Sequence, residues 1–290
     1  MHARVVAATA TAVLGTAALL LSPASDARAG DVGETTVIAH RGASGYAPEN
    51  TLASIDKAAQ LGFAWVENDV QRTKDGKLVV IHDDSLQRTT NVEQVFPGRA
   101  PWKVKDFTAA EIARLDAGSW YSPAYAGTRV PTLKDYMCRI EHNHEKLLLE
   151  IKNPELYPGL EQQTLRLLGN QGWLDQKHLQ RLIVQSFSAD SIRTVHELRP
   201  AITTAYLGTP TVAQLHQYAR FTDLINPSYG SLSKGYVSAV HSFEGPHDKP
   251  LRVFAWTVND AATARRVAGY GVDGMITNKP DVVKAALGSN

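Results

Sequence analysis

The stretch WVENDVQRTKDGKLVVIHDD at residues 65–84 contains two strand patterns joined by a tight-turn signal. Side chains alternate between the two faces of a strand, so Glu67 and Asp69 share one face. The Asp-Gly dipeptide at 75–76 is one that two-residue hairpin turns favour, because both central positions need positive φ. A hairpin centred there places His82 opposite Asp69. We therefore expect an imidazole beside a face that carries two carboxylates.

Short β-branched apolar runs alternate with helical patterns along the chain, which is typical of βα units around a parallel sheet. Eight such runs occur, at 36–41, 64–70, 147–151, 181–186, 201–207, 223–227, 252–257 and 272–276. The segment after the Asp-Gly turn is left out, because the hairpin makes it an antiparallel excursion. Eight parallel strands with their helices predict a TIM (β/α)8 barrel.

Two helices and one long insertion complete this organisation. Residues 48–62 predict a helix, with Pro48 and Glu49 suited to its start and a glycine to its end. Residues 281–288 predict the last helix. Residues 84–131 are rich in Gly, Pro, Ser and aromatic residues, with one helix-like piece. Long βα insertions in barrels usually lie over the active face, and we expect the same here.

Residues 1–29 have the pattern of a secretory signal peptide. Arg4 precedes an apolar run, and Ala-Arg-Ala at 27–29 matches a small-x-small cleavage site. We expect cleavage to leave one domain at 30–290, close to the roughly 250 residues of one barrel. The mature protein should be secreted or held in the cell envelope, with no stable membrane insertion.

Charge and cysteine content exclude several classes of protein. The whole chain has a formal net charge of +1, and residues 30–290 contain equal numbers of acidic and basic residues. This balance gives no reason to expect a nucleic-acid partner. Cys138 is the single cysteine, so no internal disulfide can form. We interpret Cys138 as a buried, inert thiol on a helix.

Barrel enzymes place their chemistry at the carboxyl ends of the strands, so polar residues at those ends are the candidates. Gln185, Ser186, Asn226 and residues 256–259 end later strands. The first three strands, taken in order, end in the charged or titratable pairs His40 and Arg41, Glu67 and Asp69, and Glu150 and Lys152.

Three carboxylates in one small volume would repel one another, and a divalent cation would relieve that repulsion. Ligands that are all oxygen favour Mg²⁺ or Ca²⁺. Arg41 and Lys152 then suit a phosphate that bridges to the metal. His40 and His82 remain as a proton-transfer pair. Together these groups indicate cleavage of a phosphoester.

Each of these features also has an ordinary structural interpretation. A Glu-x-Asp pair on a strand is often a surface face or a salt-bridge partner, and Trp256 could be plain core. His142 and His144 precede the third strand, at the stability face of a barrel, and are loop histidines by this reasoning. The functional interpretation is favoured because the same strand-end position recurs on three consecutive barrel strands and the hairpin. The G-x-S-x-G, G-x-x-x-x-G-K-[ST] and H-E-x-x-H motifs are absent from the sequence.

Six ordered motifs from His40 to Asp281 together resemble the glycerophosphodiester phosphodiesterase family. They are HRGASGYAPENTLASIDKAAQLG (40–62), VENDVQRTKDGKLVVIHDDSLQRTTN (66–91), LLLEIKNP (147–154), VQSFS (184–188), WTVND (256–260) and GVDGMITNKPD (271–281). The resemblance implies a phosphatidylinositol-phospholipase-C-like TIM barrel, in which an insertion at 84–131 is typical. Asn68 departs from the family, whose members often have an apolar residue there.

The resemblance also implies a role for each site residue. His40 and His82 would be the acid/base histidines, and Glu67, Asp69 and Glu150 would bind one Ca²⁺ or Mg²⁺. The phosphate would contact Arg41 and Lys152, and Trp256 would lie near the glycerol or headgroup. The expected reaction is hydrolysis of glycerophosphodiesters, such as glycerophosphocholine and glycerophosphoethanolamine, to glycerol 3-phosphate and an alcohol.

Two other functions remain open from the sequence. One is a lysophospholipase D or sphingomyelinase D activity, since such enzymes share the barrel and its charged constellation but need a groove for an acyl chain. The other is a non-catalytic exported protein that binds phosphate esters. That second function predicts the loss of at least one constellation member, and all of them are present.

Overall fold

A computed structural model describes residues 1–2 and 35–288, and nine strands within that part of the chain pair into one sheet. Eight of the strands run parallel, and β1 pairs with both β2 and β9, which closes the ring. The predicted TIM barrel is confirmed. The strands are β1 (Thr36–Ala39), β2 (Trp65–Arg72), β3 (Leu78–Val80), β4 (Lys146–Ile151), β5 (Leu182–Ser186), β6 (Thr203–Leu207), β7 (Leu224–Asn226), β8 (Arg252–Ala255) and β9 (Gly274–Thr277).

Helices follow the barrel strands and bury one face against them. The seven helices of eight residues or more are α1, α4, α5, α7, α9, α10 and α11, and the others are single turns. In chain order the described helices are α1 (Leu52–Gln60), α2 (Val92–Val95), α3 (Ala109–Ile112), α4 (Leu133–His142), α5 (Leu160–Asn170), α6 (Gln176–Leu179), α7 (Ala189–Leu198), α8 (Leu215–Tyr218), α9 (Lys234–His241), α10 (Ala261–Ala268) and α11 (Pro280–Leu287).

Helix α1 begins four residues later than the pattern at 48–62 predicts. Thr51 is the N-cap: its side chain accepts from the Ser54 amide, and the Ser54 hydroxyl oxygen accepts from the Thr51 amide. This reciprocal cap starts the helix at Leu52, so Glu49 stays in the preceding loop. Gly62 has a φ of +81° just beyond the helix, as expected for a glycine terminator. The last helix, α11, matches its prediction within one residue.

The barrel interior has an apolar floor to which seven of the eight parallel strands contribute one buried residue each. Trp65 of β2 packs against this floor and is partly buried. Side chains alternate along a strand, so the next inward position lies two residues later, nearer the carboxyl end. The buried floor residues are Ile38, Leu148, Ile183, Ala205, Leu224, Phe254 and Ile276.

The hairpin between β2 and β3 forms, but its predicted register is wrong by one residue. Val70 pairs with Val80, and the Ile81 amide donates to the Asp69 carbonyl at 2.9 Å, so Ile81 and not His82 lies opposite Asp69. The loop between the paired Thr73 and Lys77 has three residues, not two. Its last residue is a glycine at φ +79°, an arrangement typical of a turn followed by a bulge.

Residues 84–131 pack around a small apolar cluster that includes Leu86, Phe107 and Leu115. Residues from the hairpin strand, Val79 and Ile81, belong to the same cluster. The insertion therefore has its own core and is anchored on β3. It contains the helix α3 near the predicted helical piece, and also the single turn α2.

Two other predictions concern single segments. Cys138 is exposed, not buried as predicted, because α4 buries the face formed by Leu133, Tyr136, Met137 and Ile140 and turns the cysteine away from it. The predicted signal peptide at 1–29 lies outside the described residues except for its first two. Among the helices that are described, none combines the length and apolar character needed to cross a bilayer.

Candidate active site

Polar side chains replace the apolar floor two residues further along the barrel strands. His40 follows Ile38 on β1, Glu67 follows Trp65 on β2, and Glu150 follows Leu148 on β4. The same step leads to Gln185, Asn226, Trp256 and Asn278. A period of two therefore moves the interior from core to polar residues at the carboxyl ends of the strands.

A cavity of about 130 Å³ lies at this end of the barrel. Seven of the eight predicted site residues line it, and the eighth, Asp69, contacts two of them. The predicted residues in the lining are His40, Arg41, Glu67, His82, Glu150, Lys152 and Trp256; the others are Gln185, Phe187, Leu207, Thr257 and Ile276.

Three buried carboxylates form the acidic side of the site. Glu67, Asp69 and Glu150 each offer an oxygen, and these atoms lie within 4.8 Å of one another. Asp69 pairs directly with Glu150 across β2 and β4, which explains their proximity. Burial, followed by the charge of Asp69, raises the pKa of Glu150 to about 8 and that of Glu67 well above its usual range. Burial opposes ionisation of Asp69, but Arg41 and Lys152 lower its pKa to about 2.

The Arg41 side chain and backbone both contact this acidic group. Its Nε lies 3.3 Å from Asp69 Oδ2, and its backbone amide donates to Glu67 Oε2 at 2.9 Å. Arg41 has a φ of +54°, a left-handed conformation that is uncommon for a residue with a side chain. Its Nη1 donates to Glu49 Oε1 at 2.8 Å. The guanidinium is therefore held between two carboxylates at the edge of the cavity.

Lys152 supplies the second cation of the site. Its Nζ lies 3.0 Å from Glu150 Oε1 and 3.7 Å from Asp69 Oδ1. The same ammonium group lies 5.3 Å from the centre of the Phe187 ring, within cation–π distance. Lys152 thus faces the cavity between an acidic wall and an aromatic one.

His40 is partly buried beside a neutral hydrogen-bond partner. Its Nδ1 lies 2.7 Å from Asn278 Oδ1, and its backbone amide donates to the Thr277 carbonyl at 2.8 Å. Burial, and then the charge of Arg41, lowers the pKa of His40 to about 4. Since an amide oxygen can only accept, Nδ1 carries the proton and Nε2 keeps a free lone pair.

His82 has a charged partner and a different support. Its Nδ1 lies 2.6 Å from Asp83 Oδ1. The side-chain amide of Gln71 on β2 donates to the carbonyls of Ile81, His82 and Asp83 at 2.7–3.0 Å. This clamp holds the chain just after β3 ends. His82 lines the cavity even though the strand register differs from the predicted one.

Trp256 lies in the cavity wall and not in the closed core. Its Nε1 donates to the Asn226 carbonyl at 2.8 Å, and its ring meets the half-exposed Phe187 ring edge to face at 5.5 Å. The Trp256 ring thus lines the cavity and also packs against the apolar floor, and its role beside a ligand stays a prediction.

Sequence reasoning missed several residues that support the site. Asn50 donates to Asp69 Oδ2 at 2.8 Å, and Gln185 donates to Glu67 Oε1 at 3.4 Å. Gln185 and Asn226 were recognised as strand ends but given no role. Asn278 directly follows β9, which is the signal that could have identified it, whereas Glu49 and Asn50 lie in the loop before α1, where no such signal marks them.

The acidic group fits a divalent cation by its chemistry. Its members are carboxylates, the ligands that Ca²⁺ and Mg²⁺ prefer. Burial and the charge of Asp69 raise the pKa of Glu67 and of Glu150, and a bound cation would favour the ionised form of both. No second group of this kind occurs among the residues that the structure describes.

Comparison with known proteins agrees with this geometry. The sequence profile of the glycerophosphoryl diester phosphodiesterase family matches residues 40–282. A glycerophosphodiester phosphodiesterase of Bacillus subtilis (strain 168) is 35% identical over 288 residues, which covers 93% of each chain. Another from Caldanaerobacter subterraneus subsp. tengcongensis is 36% identical over 253 residues, covering 86% of this chain and 96% of the relative.

A solved structure extends the likeness to the fold and to a product complex. A phosphodiesterase from Oleispira antarctica, solved with the product sn-glycerol-3-phosphate, superposes with a TM-score of 0.75 at 30% identity. The match covers 88% of this chain and 97% of that one. The closed barrel, the charged cavity and the near full-length matches together show that the chain belongs to the glycerophosphoryl diester phosphodiesterase family, a family of phosphoric diester hydrolases.

Proposed function

We propose that the protein hydrolyses glycerophosphodiesters to glycerol 3-phosphate and an alcohol, with the help of one Ca²⁺ or Mg²⁺. The observation that carries the proposal is the meeting of three buried carboxylates, two cations and two imidazoles around one cavity. The Oleispira relative, whose structure was solved in complex with the product sn-glycerol-3-phosphate, supports the identity of the product.

Arg41 and Lys152 would bind the phosphate group of the substrate. Both line the cavity beside the carboxylates, so an anion placed between them faces positive charge on two sides. Glu67, Asp69 and Glu150 would hold the divalent cation, which when bound supplies Lewis-acid stabilisation of the negative charge on the phosphate. Phe187 and Trp256 would form the wall against the carbon atoms of the substrate.

The different partners of the two histidines support different roles for them. His40, whose Nδ1 proton is held by Asn278, presents a free lone pair at Nε2 and would accept the proton of the nucleophile. His82, whose Nδ1 is held by the Asp83 carboxylate, would donate a proton to the departing alcohol oxygen. The nucleophile is either water or the neighbouring glycerol hydroxyl, which would pass through a cyclic phosphodiester that water then opens.

The size of the cavity favours a small substrate over a lipid with an acyl chain. Its volume of about 130 Å³ is below the roughly 300–1,000 Å³ of pockets for drug-sized ligands. This supports glycerophosphocholine and glycerophosphoethanolamine as substrates over the lysophospholipids that a lysophospholipase D would cleave. A purely binding role is disfavoured because the complete set of acid, base and cationic groups is in place.

Release of glycerol 3-phosphate from glycerophosphodiesters, compared with release of choline from lysophosphatidylcholine, tests the proposal. The protein would be stripped of metal with EDTA and assayed with Ca²⁺ or Mg²⁺ on glycerophosphocholine, glycerophosphoethanolamine and lysophosphatidylcholine. We expect turnover of the first two with at least one cation, and little of the third. Absence of glycerol 3-phosphate under every condition, or faster cleavage of the lysolipid, would contradict it.

The roles of the histidines can be separated with a second substrate. Bis(p-nitrophenyl) phosphate has a leaving group that needs little protonation. We expect His82→Ala to lose at least 10-fold more activity on glycerophosphocholine than on this substrate, whereas His40→Ala loses activity on both. Equal losses on both substrates in His82→Ala would refute the assignment of the acid.

We also propose that residues 1–29 direct export and are removed. The support is the sequence pattern of a charged start, an apolar run and an Ala-Arg-Ala site. N-terminal sequencing of the protein recovered from culture medium and cell envelope tests this. A chain that stays in the cytoplasm with residues 1–29 intact would contradict it.

A further inference from the structure

Two loops and the insertion meet in a chain of ion pairs at the edge of the site. Arg88, near the start of the insertion, binds Asp83 with Nε to Oδ2 at 2.6 Å and Nη2 to Oδ1 at 3.0 Å. The same guanidinium binds Glu49 with Nη1 to Oε2 at 2.9 Å and Nη2 to Oε1 at 2.8 Å. Arg88 is therefore held by two contacts to each of two carboxylates, the geometry that fixes a guanidinium most firmly.

Each of these carboxylates also holds a residue of the proposed active site. Asp83 Oδ1 lies 2.6 Å from His82 Nδ1, and Glu49 Oε1 accepts from Arg41 Nη1 at 2.8 Å. Asp83 thus links Arg88 to the His82 imidazole. On the other side, Glu49 links Arg88 to the guanidinium of Arg41, the proposed phosphate contact. A surface ion pair with a purely structural role would not be expected to connect both.

We propose that Asp83, Glu49 and Arg88 are positioning residues for the reaction. Asp83 fixes the His82 ring so that Nε2 faces the cavity, Glu49 fixes the Arg41 fork, and Arg88 locks the two carboxylates together. The inference rests on the proposed function, because it gives these residues their effect through His82 and Arg41. It also couples the order of the insertion to catalysis, since the insertion supplies Arg88.

The proposal predicts that Asp83 and Glu49 affect different kinetic constants. Asp83 acts through the proton donor, so Asp83→Asn should lower kcat about 10–100-fold and leave KM within about threefold. Glu49 acts through the phosphate contact, so Glu49→Gln should chiefly raise KM. Arg88→Met should change both constants, and Arg88→Lys should recover part of the loss, because an ammonium keeps the charge but not the four contacts.

Arg99 offers a matched control within the same insertion. Its guanidinium binds Glu111 and the Asp106 carbonyl and lies over the Phe107 ring, away from the cavity lining. Arg99→Met should therefore lower stability without changing kcat or KM. Thermal unfolding of every variant would show whether the kinetic changes follow loss of fold.

A comparison of two substrates distinguishes positioning from general damage. If Asp83 acts through His82, Asp83→Asn should reproduce, in weaker form, the substrate dependence of His82→Ala on glycerophosphocholine and bis(p-nitrophenyl) phosphate. The positioning role is refuted if Asp83→Asn and Arg88→Met have the same kcat and KM as Arg99→Met while His82→Ala is inactive on glycerophosphocholine. Full activity of His82→Ala would instead overturn the proposed role of His82, and with it the positioning role of Asp83.

Discussion

The two ends of the barrel arrange their acidic side chains in opposite ways. At the carboxyl ends of the strands, Glu67, Asp69 and Glu150 share one small volume with two cations. At the amino ends, acidic side chains are spread out, and Asp223 and Asp273 each have a histidine of their own at 2.7 and 2.9 Å. An acid paired with one partner stabilises the fold, whereas three acids crowded together form a group suited to binding a divalent cation.

The largest expected effect comes from breaking the crowded end. Glu150→Gln keeps the shape of the side chain but removes one of three carboxylates, so we expect kcat to fall by 10³-fold or more. Wild type should also gain thermal stability with added Ca²⁺ or Mg²⁺, by about 2.7 kcal/mol at 100 times the Kd. Differential scanning fluorimetry with and without cation would show this gain in wild type and not in the variant. A variant with normal turnover would remove Glu150 from the site.

At the opposite end, Glu145 is a buried acid that lacks a sufficient partner. It precedes β4, its Oε1 has no hydrogen-bond partner, and burial raises its pKa to about 8. The folded state therefore binds a proton that the unfolded state releases, so this group costs stability progressively as pH rises from about 4.5 to 8.

Glu145→Gln removes that titration. Relative to wild type, we expect the variant to gain on the order of 2–4 kcal/mol of unfolding free energy between pH 5 and pH 9, with unchanged kcat. Urea unfolding at the two pH values measures the difference. An equal free-energy difference at both would show that Glu145 is ionised throughout.

On β2, Asn68 lies between Glu67 and Asp69 but points to the opposite face of the strand. Asn68 is fully buried, and neither side-chain polar atom has a hydrogen-bond partner. Asn68→Leu should raise the free energy of unfolding by about 1–2 kcal/mol, since an unpaired buried amide is replaced by an apolar group. Asn50→Leu is the control: Asn50 is equally buried but hydrogen-bonded to Asp69, and its loss should destabilise. Destabilisation by both changes would mean that Asn68 has a partner, such as a buried water.

The smallest effect belongs to the pair of His241 and Asp273. The hydrogen bond to Asp273 raises the pKa of His241, so the pair contributes stability below pH 6.5 that is lost as pH rises through the raised value. His241→Gln should cost about 0.5 kcal/mol at pH 5.5 and less at pH 8.5, because solvent screens a pair about one third exposed. Thermal unfolding at both values measures it, and a loss independent of pH would point to packing instead.

The sequence predicts the barrel well because strand periodicity and strand-end chemistry are local. All eight parallel strands lie within about two residues of their predicted bounds, and the period of two carries Glu67 and Asp69 into the interior. The hairpin register was wrong because Asp-Gly also suits a three-residue loop, and only the Thr73 to Lys77 pairing selects between them. Cys138 was misplaced because one apolar helix pattern allows neighbouring faces to be buried.

Supporting residues escaped prediction for a different reason. Asn278 holds His40 from the far end of the chain, and Arg88 reaches Glu49 across 39 positions. Such partners are set by how the loops close over the rim, which depends on tertiary packing and not on any local pattern. The residues proposed to bind or react could thus be predicted, but the residues that hold them in position could not.

The closure of the ring by its first and last strands has a consequence for biosynthesis. The backbone amide of His40 donates to the Thr277 carbonyl, and its ring is bonded to Asn278, so this catalytic candidate is oriented by a residue that is translated 238 positions later. A nascent chain on the ribosome thus lacks a properly set His40 until β9 has emerged. We therefore expect hydrolytic activity only after Asn278 has been synthesised, however early the other strands assemble.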